Sequence, residues 1–167
     1  ELQSLGVTFV SKNEQFDTSS AIGEAMMRII LIFAELERKT TAERVTAVML
    51  SRASDGQWNG GRVPFGYSWS KEAKTFSIVP EEAKAIRRMA ELYEQYQSLL
   101  YVAKYLNDAG IVTKTGGQWT PTTVRTILTN PWYVGQYVYN VHSDGKGIEK
   151  RDSDEWITVE NHHEPIL

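Results

Sequence analysis

The 167-residue sequence contains no cysteine. Disulfides and thiolate zinc sites are therefore excluded within it. It has no apolar run approaching the roughly 20 residues needed to cross a bilayer, and no recognisable signal peptide. A soluble cytoplasmic protein is the expectation. Histidine is scarce, at three residues. There is no Ser/His/Asp set, no glycine-rich phosphate loop and no paired-carboxylate site, so the familiar hydrolytic chemistries have no anchor. No internal repeat occurs. Acidic residues are missing from one long stretch, with none between Ala109 and Ser143. A surface that binds phosphate needs such a local exclusion of negative charge, whatever the whole-chain total.

An apolar content of 41% and a charged content of 23% are ordinary for a globular chain that builds a core. The length suits one domain, or a small domain with an appendage. Net charge is −3, but its distribution is uneven. Residues 1–37 carry −4, residues 38–130 carry +5, and residues 131–167 carry −4. The chain opens on Glu1 and stops at Pro165-Ile166-Leu167 without a terminating signal, and a piece of a longer protein is expected.

Residues 5–10 alternate as a short strand of β-branched and aromatic type. A polar stretch leads to Ser20, which caps a long helix with Glu24 near its positive end. Ile22, Met26, Ile29, Ile30, Phe33 and Leu36 recur at three- and four-residue steps, widened by Met27, Leu31 and Ile32. No Gly or Pro interrupts Glu24–Asp55, which predicts a helix about 45 Å long. Its first half is too apolar to face water. Its second half is charged, with Arg38, Lys39, Glu43, Arg44 and Arg52.

Residues 56–66 read as a glycine-rich extended linker. Tyr67–Trp69 and Thr75–Val79 are expected to pair as a hairpin. Pro80 starts a helix that buries Ala83, Ile86, Met89, Ala90 and Tyr93. Ser98 caps a second, ended by Gly110. Thr120-Pro121 opens a third, which closes near Asn130. Tyr133–Asn140 and Trp156–Val159 are expected strands on either side of a polar loop over residues 142–152. The fold class is thus α+β, mainly helical: a long N-terminal helix, then a mixed helix and short-strand domain.

Two short helices at 98–109 and 120–130 have a helix-turn-helix flavour, although their connection exceeds the usual three or four residues. The exposed ridge of the second holds Thr122, Arg125 and Thr129, beside Thr123 and Thr126, with Thr120 at its cap. Thr suits phosphates or thymine methyls, and Arg suits guanine or phosphate. An ordinary helical subdomain fits the same pattern. The linker, with Arg52 before it and Asn59 and Arg62 within it, could enter a minor groove as a thin arm, and Lys114 adds a cation on the following loop. His162, His163 and Glu164 make a poor metal site, because adjacent histidines diverge on most backbones. No metal or cofactor is expected.

Gly6-Val-Thr-Phe-Val-Ser, Glu14, Asp17-Thr18, Gly23, Phe33-Ala-Glu-Leu-Glu-Arg and Glu43-Arg44 resemble the end of the serine recombinase catalytic domain. Gly60-Gly-Arg-Val-Pro-Phe-Gly-Tyr, Asn107–Ile111, Trp119 and Ile127-Leu-Thr-Asn-Pro-Trp-Tyr-Val-Gly resemble the recombinase DNA-binding domain of the large members, such as transposon and phage integrases. The resemblance covers the chain in order. It implies residues 1–55 as the end of a catalytic domain, 56–66 as a linker and 67–167 as a DNA-binding domain. It further implies strand exchange through a 5′-phosphoserine, by a serine lying upstream and absent here, so these residues would bind DNA without breaking it. Ile22, Met26, Ile29, Ile30 and Phe33 would pack on partner helices in a dimer or tetramer. Glu43 and Arg44, and less directly Arg38, would lie near the crossover site. The competing expectations are a helical interaction module and a metal-dependent enzyme, neither of which binds DNA.

Overall fold

The computed structural model describes residues 10–11, 16–17, 20–143 and 149–167. The strand expected over residues 5–10 lies outside these except for Val10, as do Glu14, Thr18 and Ser19. Two short strands, β1 (Val10–Ser11) and β2 (Phe16–Asp17), pair antiparallel with Val10 opposite Asp17. The chain divides into two units, Glu1–Met49 and Leu50–Leu167.

Helix α1 runs Ala21–Ser54, 34 residues, or about 50 Å. Its start follows from Ser20, whose hydroxyl accepts the Gly23 N–H at 3.0 Å. Glu24 pairs with Arg28 at 2.6 Å and Glu35 with Lys39 at 3.0 Å. Each is a one-turn spacing that suits exposed ion pairs. The helix stops at Gly56, which adopts φ +68°. There the Gly56 N–H donates to Ala53 O and the Gln57 N–H to Arg52 O, the paired bonds of a glycine-terminated helix.

In the second unit β3 (Tyr67–Ser70) and β4 (Thr75–Ile78) form the expected hairpin, with Tyr67 opposite Ile78. Pro80 then opens α2 (Pro80–Tyr96), which buries Ala83, Ala85, Ile86, Met89 and Leu92. Ala90 is buried less completely than expected and Tyr93 is half-buried, while Leu92 takes an inner position. Helix α3 (Leu99–Asp108) is capped by Ser98, which accepts from Tyr101 N. It ends as α1 does, with Gly110 N donating to Asn107 O and Ile111 N to Leu106 O. Helix α4 (Pro121–Leu128) buries Val124 and Ile127. One continuous core joins these faces to Tyr67, Phe76, Trp119, Trp132 and Ile166.

The strand expected over Tyr133–Asn140 forms only at its end, as β5 (Tyr137–Tyr139), paired with β6 (Ile157–Val159). Residues 131–134 are instead a 3-10 turn. Asn130 caps it by accepting Trp132 N at 3.0 Å, Pro131 fixes its first φ, and Gly135 closes it at φ +82°. A proline after a capping Asn overrides the local β propensity of Trp-Tyr-Val. Likewise β6 starts at Ile157, because the backbone N–H of Trp156 closes a 3-10 turn over Ser153–Glu155 by donating to Ser153 O at 3.2 Å.

Candidate nucleic-acid interface

Helix α4 is built from its first residue. Thr120 Oγ1 accepts Thr123 N at 3.2 Å, and Thr123 Oγ1 accepts Thr120 N at 2.8 Å. Both hydroxyls of this reciprocal cap are therefore occupied at the helix start. Behind it Asn107 of α3 grips Trp119 by two bonds, Nδ2 to Trp119 O at 2.9 Å and Trp119 N to Oδ1 at 2.8 Å. That clasp sets the second helix against the first across the long connection.

The outward ridge of α4 carries Thr122, Arg125, Thr126 and Thr129, all exposed. Thr126 Oγ1 donates to Thr122 O at 2.9 Å and Thr129 Oγ1 to Arg125 O at 2.8 Å. Their protons are taken up by the helix itself, so the ridge presents methyl groups and hydroxyl lone pairs outward. The Arg125 guanidinium has no hydrogen-bond or ion-pair partner among the described residues, and supplies the donors that the threonines do not.

A groove of about 490 Å³ flanks this ridge, lined by Arg62, Thr113, Lys114, Thr123, Thr126 and Asn130 among others. It brings together the arm, the loop after α3 and α4, which the sequence pattern marks separately. No carboxylate lines it. Lys114, however, is engaged within the fold. Its Nζ donates to Tyr67 O at 2.8 Å and pairs with Glu82 at 2.9 Å. Glu82 in turn accepts the Gly66 N–H at 2.6 Å. This ammonium ties loop, hairpin and α2 together, and its donors point inward.

The arm is anchored at both ends. Trp58 stacks near Trp69, with ring centroids 4.7 Å apart, and Phe65 is buried against Trp119. Between these anchors Gly60, Gly61 and Arg62 are exposed, with the glycines at φ +96° and +112°. Arg62 has no hydrogen-bond or ion-pair partner among the described residues. Asn59 is half-buried against the Tyr137 hydroxyl, whose pKa is raised chiefly by burial and held back by Asn59. Arg52 lies exposed with its guanidinium 3.4 Å from Trp58 O. It lines a second groove of about 570 Å³ together with Gln57, Asn59, Gly60, Lys71 and Lys74. Sequence reasoning misses these two lysines. The signal available is a hairpin turn with cations at both ends, Lys71-Glu72-Ala73-Lys74.

In the first unit Arg38, Glu43 and Arg44 are all exposed on α1. Ile22, Met26, Ile29, Ile30 and Phe33 are exposed as well, Phe33 by 65%.

His162 and His163 are half-buried against the aromatic core, His163 stacked on Trp132 at 4.3 Å. Their Nδ1 atoms lie 2.9 Å apart, while His162 Nε2 faces Gly56 O and His163 Nε2 faces Trp132 O. Both Nε2 atoms face carbonyl oxygens and so carry the ring protons, which leaves the two Nδ1 atoms of the neutral rings facing each other as acceptors. Burial is the main cause lowering both pKa values. Among the described residues no group of three or more His, Asp or Glu gathers to hold a metal ion, and no helix is long and apolar enough to cross a membrane.

Residues 80–167 match the Recombinase family, and residues 1–58 match the Resolvase N-terminal domain. The chain is 26% identical to the "Putative DNA recombinase" of Bacillus subtilis (strain 168), over 90% of this chain and 31% of that protein. It is 32% identical to the "Uncharacterized protein YbcK" of Escherichia coli (strain K12), over 75% of this chain and 26% of that one. The chain therefore spans about a third or less of these curated relatives. Among solved structures it is similar to that described as "Crystal Structure of a LSR-DNA Complex", with a TM-score of 0.53 and 24% identity over 74% of this chain and 33% of the other. It is also similar to that described as "Sequence Requirements of the Listeria innocua prophage attP site", with a TM-score of 0.52 and 25% identity over 74% and 46%. With a resolvase-type end followed in order by a recombinase domain that takes up more than half of its length, the chain belongs to the serine recombinase family.

Proposed function

We propose that these residues recognise duplex DNA at the half-site of a mobile element, on behalf of a site-specific recombinase that exchanges strands through a 5′-phosphoserine. The observation that carries the reading is the exposed ridge of α4, where an unpaired Arg125 stands among threonine methyls beside a groove free of carboxylates. A ridge of this kind suits the major groove, where Arg meets guanine and a Thr methyl meets the thymine methyl. It lies on the second helix of the pair, the one that reads the major groove in helix-turn-helix proteins. Arg62 on the glycine pair suits the minor groove, which admits a thin backbone and a planar cation. The solved relatives described as a DNA complex and as concerning a prophage attP site support the same direction.

Residues 67–167 then act as the reading domain and 56–66 as the arm that precedes it. Residues 1–55 act as the end of a catalytic domain, with Glu43, Arg44 and Arg38 near the crossover. The resemblance puts the nucleophilic serine outside these residues, so they bind DNA without cutting it. The apolar half of α1 self-associates.

Fluorescence anisotropy on labelled duplex DNA across a salt series tests the reading. Affinity should fall with a slope of about −0.9 per phosphate contacted. Arg125→Ala should cost about 1–3 kcal/mol on a cognate half-site and much less on random duplex. Equal losses on both would remove α4 as the reader, and no binding at low salt would remove the function.

A further inference from the structure

The geometry points to the β3–β4 hairpin turn as a phosphate clamp on the same DNA, separate from α4 and independent of base sequence. The clamp rests on the DNA-binding reading above. Lys71 and Lys74 sit at the two ends of the turn and are exposed. With Arg52 they line one groove whose lining contains no carboxylate. Neither lysine has a hydrogen-bond or ion-pair partner among the described residues. The floor of the groove is aromatic and fixed: Trp58, Trp69 and Phe76 meet with ring centroids 4.7, 5.2 and 4.6 Å apart. Three cations around an aromatic floor whose lining holds no carboxylate, with Glu72 as the one acid of the turn, suit a polyanion's backbone.

Two further observations bear on the direction of that backbone and on the turn. Gly56–Gly60 line this groove, whereas Arg62–Phe65 line the groove beside α4. The arm therefore runs from one basic groove to the other, and a duplex followed along it meets both. Lys74 itself adopts φ +50°, a left-handed conformation that Gly or Asn takes more easily. That conformation makes Asn the substitution that removes the charge at Lys74 without disturbing the turn.

The test is the double variant Lys71→Ala, Lys74→Asn in the 167-residue chain, assayed by anisotropy on a labelled random-sequence duplex across a salt series. Asn tolerates the left-handed turn, so thermal unfolding should be unchanged or slightly raised. The slope of log affinity against log salt should become shallower by about 1.8, at about 0.9 for each phosphate no longer held. The decrease should be the same on every sequence. If the unsubstituted chain binds and the double variant keeps its slope, the clamp is wrong while the DNA reading stands. If the unsubstituted chain binds no duplex at low salt, both fall together. A variant that loses thermal stability but not slope assigns the lysines to the fold and overturns the proposal.

Discussion

Lys114 offers the sharpest division between a residue that holds the fold and one that meets DNA. In Lys114→Ala, Glu82 loses its cation and Tyr67 O loses a donor. The paired side chains are 30% and 25% exposed, between a surface pair worth about 0–1 kcal/mol and a buried one whose breaking costs about 3–5 kcal/mol. The intermediate exposure argues for about 1–2 kcal/mol. Tyr67 is fully buried, and its orphaned carbonyl adds about 1 kcal/mol. A total of about 2–3 kcal/mol should lower the melting temperature by roughly 10 °C in a domain of this size. Thermal unfolding by circular dichroism measures that drop. Anisotropy at low temperature, where the variant is still folded, should meanwhile show an unchanged salt slope. An unchanged melting temperature with a slope shallower by about 0.9 would refute the reasoning and restore Lys114 to the DNA-binding set.

Gly66→Ala should be comparably damaging, because its Cβ would lie 2.5 Å from Ile86 Cδ1 and 2.7 Å from Ile166 Cδ1 at φ +94°. With both isoleucines buried, strain and overpacking together should exceed about 2 kcal/mol, and a denaturant midpoint equal to that of the unsubstituted chain would contradict it. The two histidines predict acid sensitivity. Their folded pKa values lie below 6.5, so the unfolded chain takes up protons first as pH falls. Stability is therefore complete above that value and declines below it, by at most about 1.4 kcal/mol per pH unit for each ring. His163→Gln should flatten the fall in melting temperature just below pH 6.5, and a flat profile in the unsubstituted chain would exclude the effect. Phe33→Glu should shift light scattering toward the monomer, because Phe33 is 65% exposed in an apolar run of the kind that marks an association surface. A monomeric unsubstituted chain at high concentration would dispose of self-association through α1.

Much of this architecture is legible in sequence because its punctuation is chemical. Ser20, Ser98 and Thr120 each cap where expected, and Gly110 ends its helix. The pairing of the two hairpin strands across their turn is likewise as expected. Where the fold departs from the local pattern, tertiary context decides. Trp-Tyr-Val after Asn130-Pro131 has strand composition, but capping and a fixed proline φ make it a 3-10 turn. Leu92 lies further inside than Tyr93 because the core around α2 is formed by residues remote in sequence. The α4 ridge is visible as a helical pattern. The employment of Lys114 is not, because its partners Glu82 and Tyr67 lie 32 and 47 residues away. Lys71 and Lys74 are inconspicuous because a lysine in a turn is ordinary; only the groove that joins them to Arg52 distinguishes them.

The Asn107 clasp on Trp119 has a consequence for how such chains vary. In a tight helix-turn-helix the connection itself dictates where the second helix starts, so the loop can change only if the angle changes with it. Here the start of α4 is set from behind by one side chain making two bonds to the backbone. The residues between form a turn closed by Thr113 and Gly117, with Lys114 anchoring its first half to Tyr67 and Glu82. Length between Thr115 and Gly116 is thereby decoupled from the presentation of Arg125. An insertion between Thr115 and Gly116 should therefore change what this loop touches while α4 keeps its place.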